Sequence, residues 1–133
     1  MDNQIEYMKR ALEVKKENLR IQNIHLEEVE ADMENFELDV DEYSFDFDNM
    51  IDESHEEVTI AGIKFSPSEV LKECDPVGYR VYCVDYVGEM DKSVSSEFQE
   101  MVEKKETIEE KITDLEDEIE DLEEEISLYE DEE

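Results

Sequence analysis

The sequence predicts a mainly α-helical α+β protein, in which an antiparallel two-helix coiled-coil hairpin carries a small cap made of a β-hairpin and short helices. Three observations predict this fold. Apolar residues recur at heptad spacing in both terminal thirds of the 133-residue chain, a two-residue turn separates β-branched runs in the middle, and both prolines there follow helix-capping residues. The expected organisation is a single domain over 1–133, with a long helix at 1–40, the cap at 41–92, a second long helix at 93–130 and an acidic tail at 131–133.

The first segment, residues 1–40, has the pattern of a long amphipathic helix. One apolar series begins at Ile5 and repeats every seven residues, and an interleaved series begins at Met8 and is polar only at Lys15 and Gln22. Neither Pro nor Gly occurs in the segment. Two interleaved heptad series place one continuous apolar seam along a helix, so we predict that this helix packs against a partner along the seam.

The last segment, residues 93–130, has a matching seam whose spacings alternate between three and four. Lys105 is its only polar member, and the serines from Ser93 to Ser96 are candidate caps for the helix start. The seam consists of Phe98, Met101, Lys105, Ile108, Ile112, Leu115, Ile119, Leu122, Ile126 and Tyr129.

The distribution of charge predicts that the two long helices are antiparallel. The basic residues of the first helix are confined to Lys9, Arg10, Lys15, Lys16 and Arg20, whereas residues 114–133 contain neither Lys nor Arg. In an antiparallel pair that aligns Ile5 with Tyr129, the basic cluster lies beside these acids. A parallel arrangement would instead leave the acidic ends together. The expected neighbours are Lys9 with Glu125, Lys16 with Glu118 and Arg20 with Asp114. The heptads fit an intramolecular hairpin and a homodimer equally well.

The run "EEVTIAGIKF" in the middle segment predicts a β-hairpin. Its strands are expected at 58–60 and 63–65, because β-branched and aromatic residues flank the Ala61-Gly62 pair. Glycine is favoured in the tight turns that join such strands.

Two helix starts follow the hairpin. In "SPSE", Ser66 is the expected N-cap, Pro67 the first helical residue and Glu69 the third, which is a capping box. Asp75-Pro76 repeats the signal for a second short helix, and Gly88 is its expected end.

The charge balance restricts the partners of this protein. The chain contains 44 Asp plus Glu against 12 Lys plus Arg, a formal net charge of −32. Phosphate contacts require Lys and Arg, so nucleic acid and anionic membranes are both excluded as direct partners, and the expected partner is a basic surface. No apolar run approaches the ~18 residues of a membrane span. The two cysteines lack the spacing of a metal or redox motif, and we expect them to be reduced in a cytoplasmic protein.

No motif of catalysis or of metal binding is complete. A calcium loop beginning at Asp39 would require Gly where Ser44 stands and a bidentate Glu where Met50 stands. A zinc-protease motif beginning at His55 would require His where Thr59 stands. We therefore predict no enzyme activity, no cofactor and no dedicated metal site.

The run "VTIAGIKFSPSEVLKECDPVGYRVYCVDYV", residues 58–87, has Ala-Gly between two strands, followed by Ser, Leu-Lys-Glu, Asp-Pro, Tyr-Arg and Asp-Tyr. These positions are Ala61, Gly62, Ser66, Leu71, Lys72, Glu73, Asp75, Pro76, Tyr79, Arg80, Asp85 and Tyr86. The pattern resembles a segment of small, acidic, uncharacterised proteins of tailed bacteriophages. The resemblance implies a phage or prophage origin and hence a bacterial host cell. Phage proteins of this size and acidity often resemble inhibitors of host defence that imitate DNA, and by this analogy the protein would inhibit a restriction or CRISPR effector.

The expected partner-binding surface lies within residues 21–63, which contain many acids and neither Lys nor Arg. Aromatic residues among these acids could anchor an interface with a basic nucleic-acid-binding protein of the host. Other interpretations are a solvated acidic face, a coiled-coil adaptor and, less favoured, a prefoldin-like chaperone. The predicted surface comprises Asp39, Asp41, Glu42, Tyr43, Phe45, Asp46, Phe47, Asp48, Asp52 and Glu53.

Overall fold

The computed structural model describes residues 2–131 and is mainly helical, as predicted. Two compact units are present: one contains the two terminal helices, and the other, here called the central unit, contains residues 36–96. The helices in the described range are α1 (Asp2–Asn35), α2 (Val40–Ser54), α3 (Pro67–Cys74), α4 (Pro76–Glu89) and α5 (Ser96–Asp131), with strands β1 (Val58–Ile60) and β2 (Ile63–Phe65) and a 3₁₀ turn at Lys92–Val94.

The terminal helices lie side by side and antiparallel. The Nζ atom of Lys9 is 3.1 Å from a carboxylate oxygen of Glu130, and that of Lys15 is 2.8 Å from one of Glu118. The pair nearer the start of α1 therefore involves the residue nearer the end of α5, so the two helices run in opposite directions at these ion pairs. The partner of Glu118 is Lys15 and not Lys16, and Arg20 binds Glu17 of its own helix instead of reaching α5.

Burial along these helices follows the predicted heptads. Each predicted seam position on α1 and α5 is buried or half-buried, except Tyr129, which is exposed. The polar seam residues Lys15, Gln22 and Lys105 are half-buried like their neighbours. The fully buried members are Met8, Val29, Ile108, Ile119 and Ile126.

The first helix is shorter than predicted. It ends at Asn35, four non-helical residues follow, and Val40 begins α2. The expected boundary at residue 40 is therefore wrong, because Asp39 caps a new helix: its side chain accepts a hydrogen bond from the Asp41 amide at 3.0 Å. At the other end of the chain, Asp131 of the predicted acidic tail belongs to α5, and residues 132 and 133 lie outside the described range.

Helix α2 was not expected from the sequence, and it supplies the core of the central unit. Phe47 is 2% exposed and packs with Cys83 and Val87 of α4. Its ring centroid lies 5.4 Å from that of Tyr79 and 5.5 Å from that of Tyr86, both within the range of favourable aromatic pairs. Burial of this aromatic cluster joins α2 to α4.

The β-hairpin forms as predicted. Val58 pairs with Phe65, and Ile60 pairs with Ile63. The turn residues have φ values of 53° at Ala61 and 80° at Gly62, as a two-residue turn with a primed geometry requires. Because side chains alternate along a strand, the four paired apolar residues share one face of the hairpin.

The cap of α3 differs from the predicted capping box. Ser66 is the N-cap residue, but its side chain makes no capping hydrogen bond. The carboxylate of Asp52 on α2 accepts instead from the Ser68 amide at 2.9 Å and from its hydroxyl at 3.1 Å. A distant carboxylate thus replaces the local cap, and it also connects α2 to α3.

Helix α4 begins as predicted and ends one residue later than expected. The side chain of Asp75 accepts from the Gly78 amide at 2.9 Å, and Pro76 occupies the first helical position. A Cβ atom at position 78 would overlap the Asp75 carboxylate, so a larger residue there would require that side chain to shift. Gly88 lies inside the helix and not at its end, because Met90 terminates α4 in an extended conformation.

This arrangement predicts that α3 depends on Asp52 and not on Ser66. Asp52→Ala should destabilise the central unit by about 0.5–2 kcal/mol, the usual cost of a lost N-cap. Ser66→Ala should change stability by less than about 0.5 kcal/mol, because its hydroxyl makes no capping bond. Urea denaturation of both variants measures the difference.

Asp52→Asn is the matched control, since an amide oxygen can still accept from the Ser68 amide. If Ser66→Ala proved as destabilising as Asp52→Ala, the local capping box would be the one that operates in solution.

Candidate functional site

The predicted partner-binding residues do not form one surface, because α2 distributes them over two faces. Phe47 lies in the core, and Tyr43 is half-buried against it. Side chains four residues apart share a face of a helix, so the inward face continues through Asp48 and Asp52. The structure therefore places four of the ten predicted residues where they hold the central unit together.

Asp48 of α2 binds side chains of two other helices. One of its oxygens lies 2.7 Å from the Lys72 Nζ atom of α3, and the other accepts from the Tyr79 hydroxyl of α4 at 2.5 Å. The Lys72 ammonium also lies 5.1 Å from the centre of the Tyr79 ring. One acid of α2 thus binds both of the helices that face it.

These contacts shift two ionisations in the same direction. Burial, reinforced by the hydrogen bond to Asp48, raises the pKa of Tyr79 from its usual value near 10 to about 12. The hydrogen bond to Asp48 also raises the pKa of Lys72. The folded protein therefore favours the protonated forms of Tyr79 and Lys72.

Two further predicted residues have structural or weakly paired roles. Asp39 caps α2, as described above. Asp41 lies 2.7 Å from the Arg80 guanidinium of α4, and both side chains are mostly exposed. An ion pair in water contributes only a few tenths of a kcal/mol, so Asp41 keeps most of its capacity to meet another cation.

The outward face of α2 carries the remaining predicted residues. Glu42, Asp46 and Glu53 are exposed, and within residues 2–131 none of these three carboxylates has a hydrogen-bond or ion-pair partner. Phe45 lies on the same side and is 70% exposed. We call Glu42, Phe45, Asp46 and Glu53 the acidic face, and it is the part of the predicted surface that remains available to another molecule.

Sequence reasoning did not find the basic residues that engage the acids of α2. Lys72 and Arg80 lie 24 and 39 residues along the chain from the carboxylates they bind. These sequence separations reveal the contacts only when it is known that α3 and α4 pack on α2. The three interhelical polar bridges, from Asp48, Asp52 and Asp41, therefore depend on tertiary structure.

Comparison with protein-family models, with curated proteins and with solved structures finds no match to this chain. Within the described part of the chain, no helix combines the length and the apolar character needed to span a bilayer. The same residues include no group of three or more His, Cys, Asp or Glu side chains arranged to hold a metal ion.

The raised pKa of Tyr79 predicts a specific pH dependence of stability. Since the folded pKa exceeds the unfolded one, the contribution of Tyr79 is complete below about pH 10 and is lost as the pH rises through about 12. Tyr79→Phe should cost about 1.5–3 kcal/mol near pH 8, the value of a hydrogen bond to a charged group. The stability difference from the parent should shrink between pH 10 and 12.

Chemical denaturation of both proteins across this pH range measures that difference. A constant stability gap from pH 8 to 12 would show that the Tyr79 hydroxyl has no special interaction with Asp48. Tyr82→Phe is the control, because Tyr82 is exposed on the same helix.

Proposed function

We propose that this protein is an acidic inhibitor that imitates nucleic acid and blocks the DNA- or RNA-binding groove of a bacterial defence protein, such as a restriction or CRISPR effector. In this proposal it is encoded by a phage and acts in the cytoplasm of the host. The α1–α5 pair would form a rigid coiled-coil hairpin, and the acidic face of α2 would enter the basic groove.

The observation that carries the proposal is the spacing of free carboxylates on the acidic face. Glu42 and Asp46 are four residues apart, and Asp46 and Glu53 are seven apart, which correspond to ~6 Å and ~10.5 Å along a helix axis. Two and three steps of a nucleic-acid strand advance by ~6.8 Å and ~10.2 Å. Three carboxylates on a preformed helix can therefore meet cations arranged for every second or third phosphate.

Charge and apolar contact would have separate roles in such a complex. Charges separated by more than ~8 Å are largely screened at physiological ionic strength, so the attraction should weaken steeply with salt. Phe45 lies between two of the carboxylates in sequence and can bury apolar area that charge alone does not provide. Direct binding to nucleic acid is not expected of a chain with a net charge of −32.

One observation favours the adaptor function as a second candidate. Tyr7, Val14 and Ile21 recur every seven residues on α1, outside its predicted seam, and all three are exposed. A further helix could pack along such a stripe. An adaptor of this kind would depend on Val14 and would be insensitive to changes in the acidic face.

Competition for defence proteins tests the inhibitor proposal. A panel of purified restriction and CRISPR effectors, each bound to fluorescent DNA or guide RNA, would be titrated with the parent and with the triple variant Glu42→Lys, Asp46→Lys, Glu53→Lys. The parent should displace the nucleic acid from at least one effector, and the triple variant should require at least a hundredfold more protein. Anisotropy measures the displacement.

The matched control is Glu116→Lys, Glu120→Lys, Glu123→Lys on α5, which changes the net charge equally at three exposed positions. It should compete almost as well as the parent. If both triple variants lost competition equally, the effect would depend on total charge and not on the acidic face. Simultaneous binding of the parent and the nucleic acid to one effector would contradict mimicry.

A further inference from the structure

The central unit contains an uncovered apolar groove that the proposed function does not use. The apolar face of the hairpin is open, since Ile60 and Ile63 are 61% and 58% exposed. A two-stranded hairpin is marginally stable in water unless its apolar face packs against something. The exposed half of this face is open to contact with another molecule.

The groove has two adjoining parts that share Val70 and Cys74 of α3. One, of about 400 Å³, lies between these residues and the hairpin side chains Ile60 and Phe65. The other, of about 610 Å³, continues from α3 to Tyr82 of α4. Together they form one apolar surface that runs from the hairpin across α3 to α4, here called the α3 groove.

Apolar side chains in the α3 groove repeat with a helical period. Pro67, Val70, Leu71 and Cys74 line it at successive turns of α3. A second helix with an apolar stripe at positions i, i+3, i+4 and i+7 can pack along such a row.

The rim of the groove is acidic. Glu56 borders the larger part, and Glu69 and Glu73 border the smaller part. All three side chains are exposed and form no ion pair within the described part of the chain. An occupant with Lys or Arg beside its apolar stripe would be attracted, whereas a second copy of this chain would bring a net charge of −32 of its own.

We propose that the α3 groove binds an amphipathic helix of a partner protein, with apolar residues on one side and Lys or Arg at its margins. This interaction does not depend on the acidic face and would hold if the nucleic-acid mimicry were disproved. Apolar contact would come from the hairpin, α3 and Tyr82, and the rim carboxylates would orient the helix.

The two cysteines provide a direct reporter of occupancy. Cys74 lines both parts of the groove and is exposed, whereas Cys83 is buried in the core. Burial also raises the pKa of the Cys83 thiol, which lowers its reactivity further. Iodoacetamide should therefore alkylate Cys74 selectively, by attack of its thiolate on the reagent carbon with loss of iodide.

The test uses the full chain and two synthetic peptides of identical Leu and Lys composition. One places Leu on a single helical face, and the other has the same residues scrambled. At ~0.15 M salt, saturating amphipathic peptide should slow Cys74 alkylation at least tenfold and should bind at least tenfold more tightly than the scrambled peptide. Equal binding and equal protection by both peptides would overturn the proposal.

Variants locate the binding surface. Ile60→Ser should weaken binding of the amphipathic peptide at least tenfold, because Ile60 lines the smaller part of the groove, and so should Tyr82→Ala, which leaves the hairpin unchanged. Val77→Ser is the matched control, because Val77 is exposed on α4 but does not line the groove. Unaltered affinity in both test variants, or equal loss in the control, would contradict the assignment.

Two further measurements test the contribution of the rim carboxylates and the alternative that a second copy of the chain occupies the groove. Glu69→Gln with Glu73→Gln should reduce the affinity several-fold and weaken its dependence on salt. Sedimentation of the parent chain should show no dimer that the Ile60→Ser change dissociates. Such a dimer would identify a second copy as the occupant and overturn the proposal.

Discussion

The packing of Phe47 against α4 determines the rest of the central unit. With this ring placed among Tyr79, Tyr86, Cys83 and Val87, the rotation of α2 about its axis is fixed. Asp48 and Asp52 then face α3 and α4, where they bind Lys72, the Tyr79 hydroxyl and the Ser68 amide. The opposite side of the helix is left with carboxylates that have no structural task, and those carboxylates are the ones we assign to a partner.

A net charge of −32 opposes any compact fold, and the structure limits this cost by using few acids internally. The inward carboxylates of α2 each meet a cation or hydrogen-bond donors. The antiparallel order of α1 and α5 places the basic stretch around Lys15 beside the acidic end of α5. Most other acids point into water, where the high dielectric constant weakens their mutual repulsion. The surplus of exposed acid therefore costs less stability than the total charge suggests.

Local sequence signals predicted the hairpin turn, the Asp75-Pro76 helix start and the heptad seams, because each depends on neighbouring residues alone. Helix α2 was missed because the aromatic residues among its acids were assigned to an interface, although Val40, Tyr43, Phe47 and Met50 recur at helical spacing after a residue that can cap a helix. The same difficulty affected the choice of partner-binding residues. Phe45 and Phe47 look equivalent in sequence, yet two residues on a helix lie nearly opposite each other, so one is exposed and the other buried. Ser66 satisfies the pattern of a cap, but Asp52, distant in sequence, takes its place.

The central claim is that α2 has an inner set of acids engaged in contacts and an outer set of free acids. This claim can be tested without any partner. Carbodiimide coupling of glycine ethyl ester modifies accessible carboxylates, and tandem mass spectrometry reports the rate at each residue. Glu42, Asp46 and Glu53 should react several-fold faster than Asp48 and Asp52 in the folded chain, and all five should react at similar rates in denaturant. Equal rates in the folded chain, or faster reaction of Asp48, would contradict the division on which the acidic face depends.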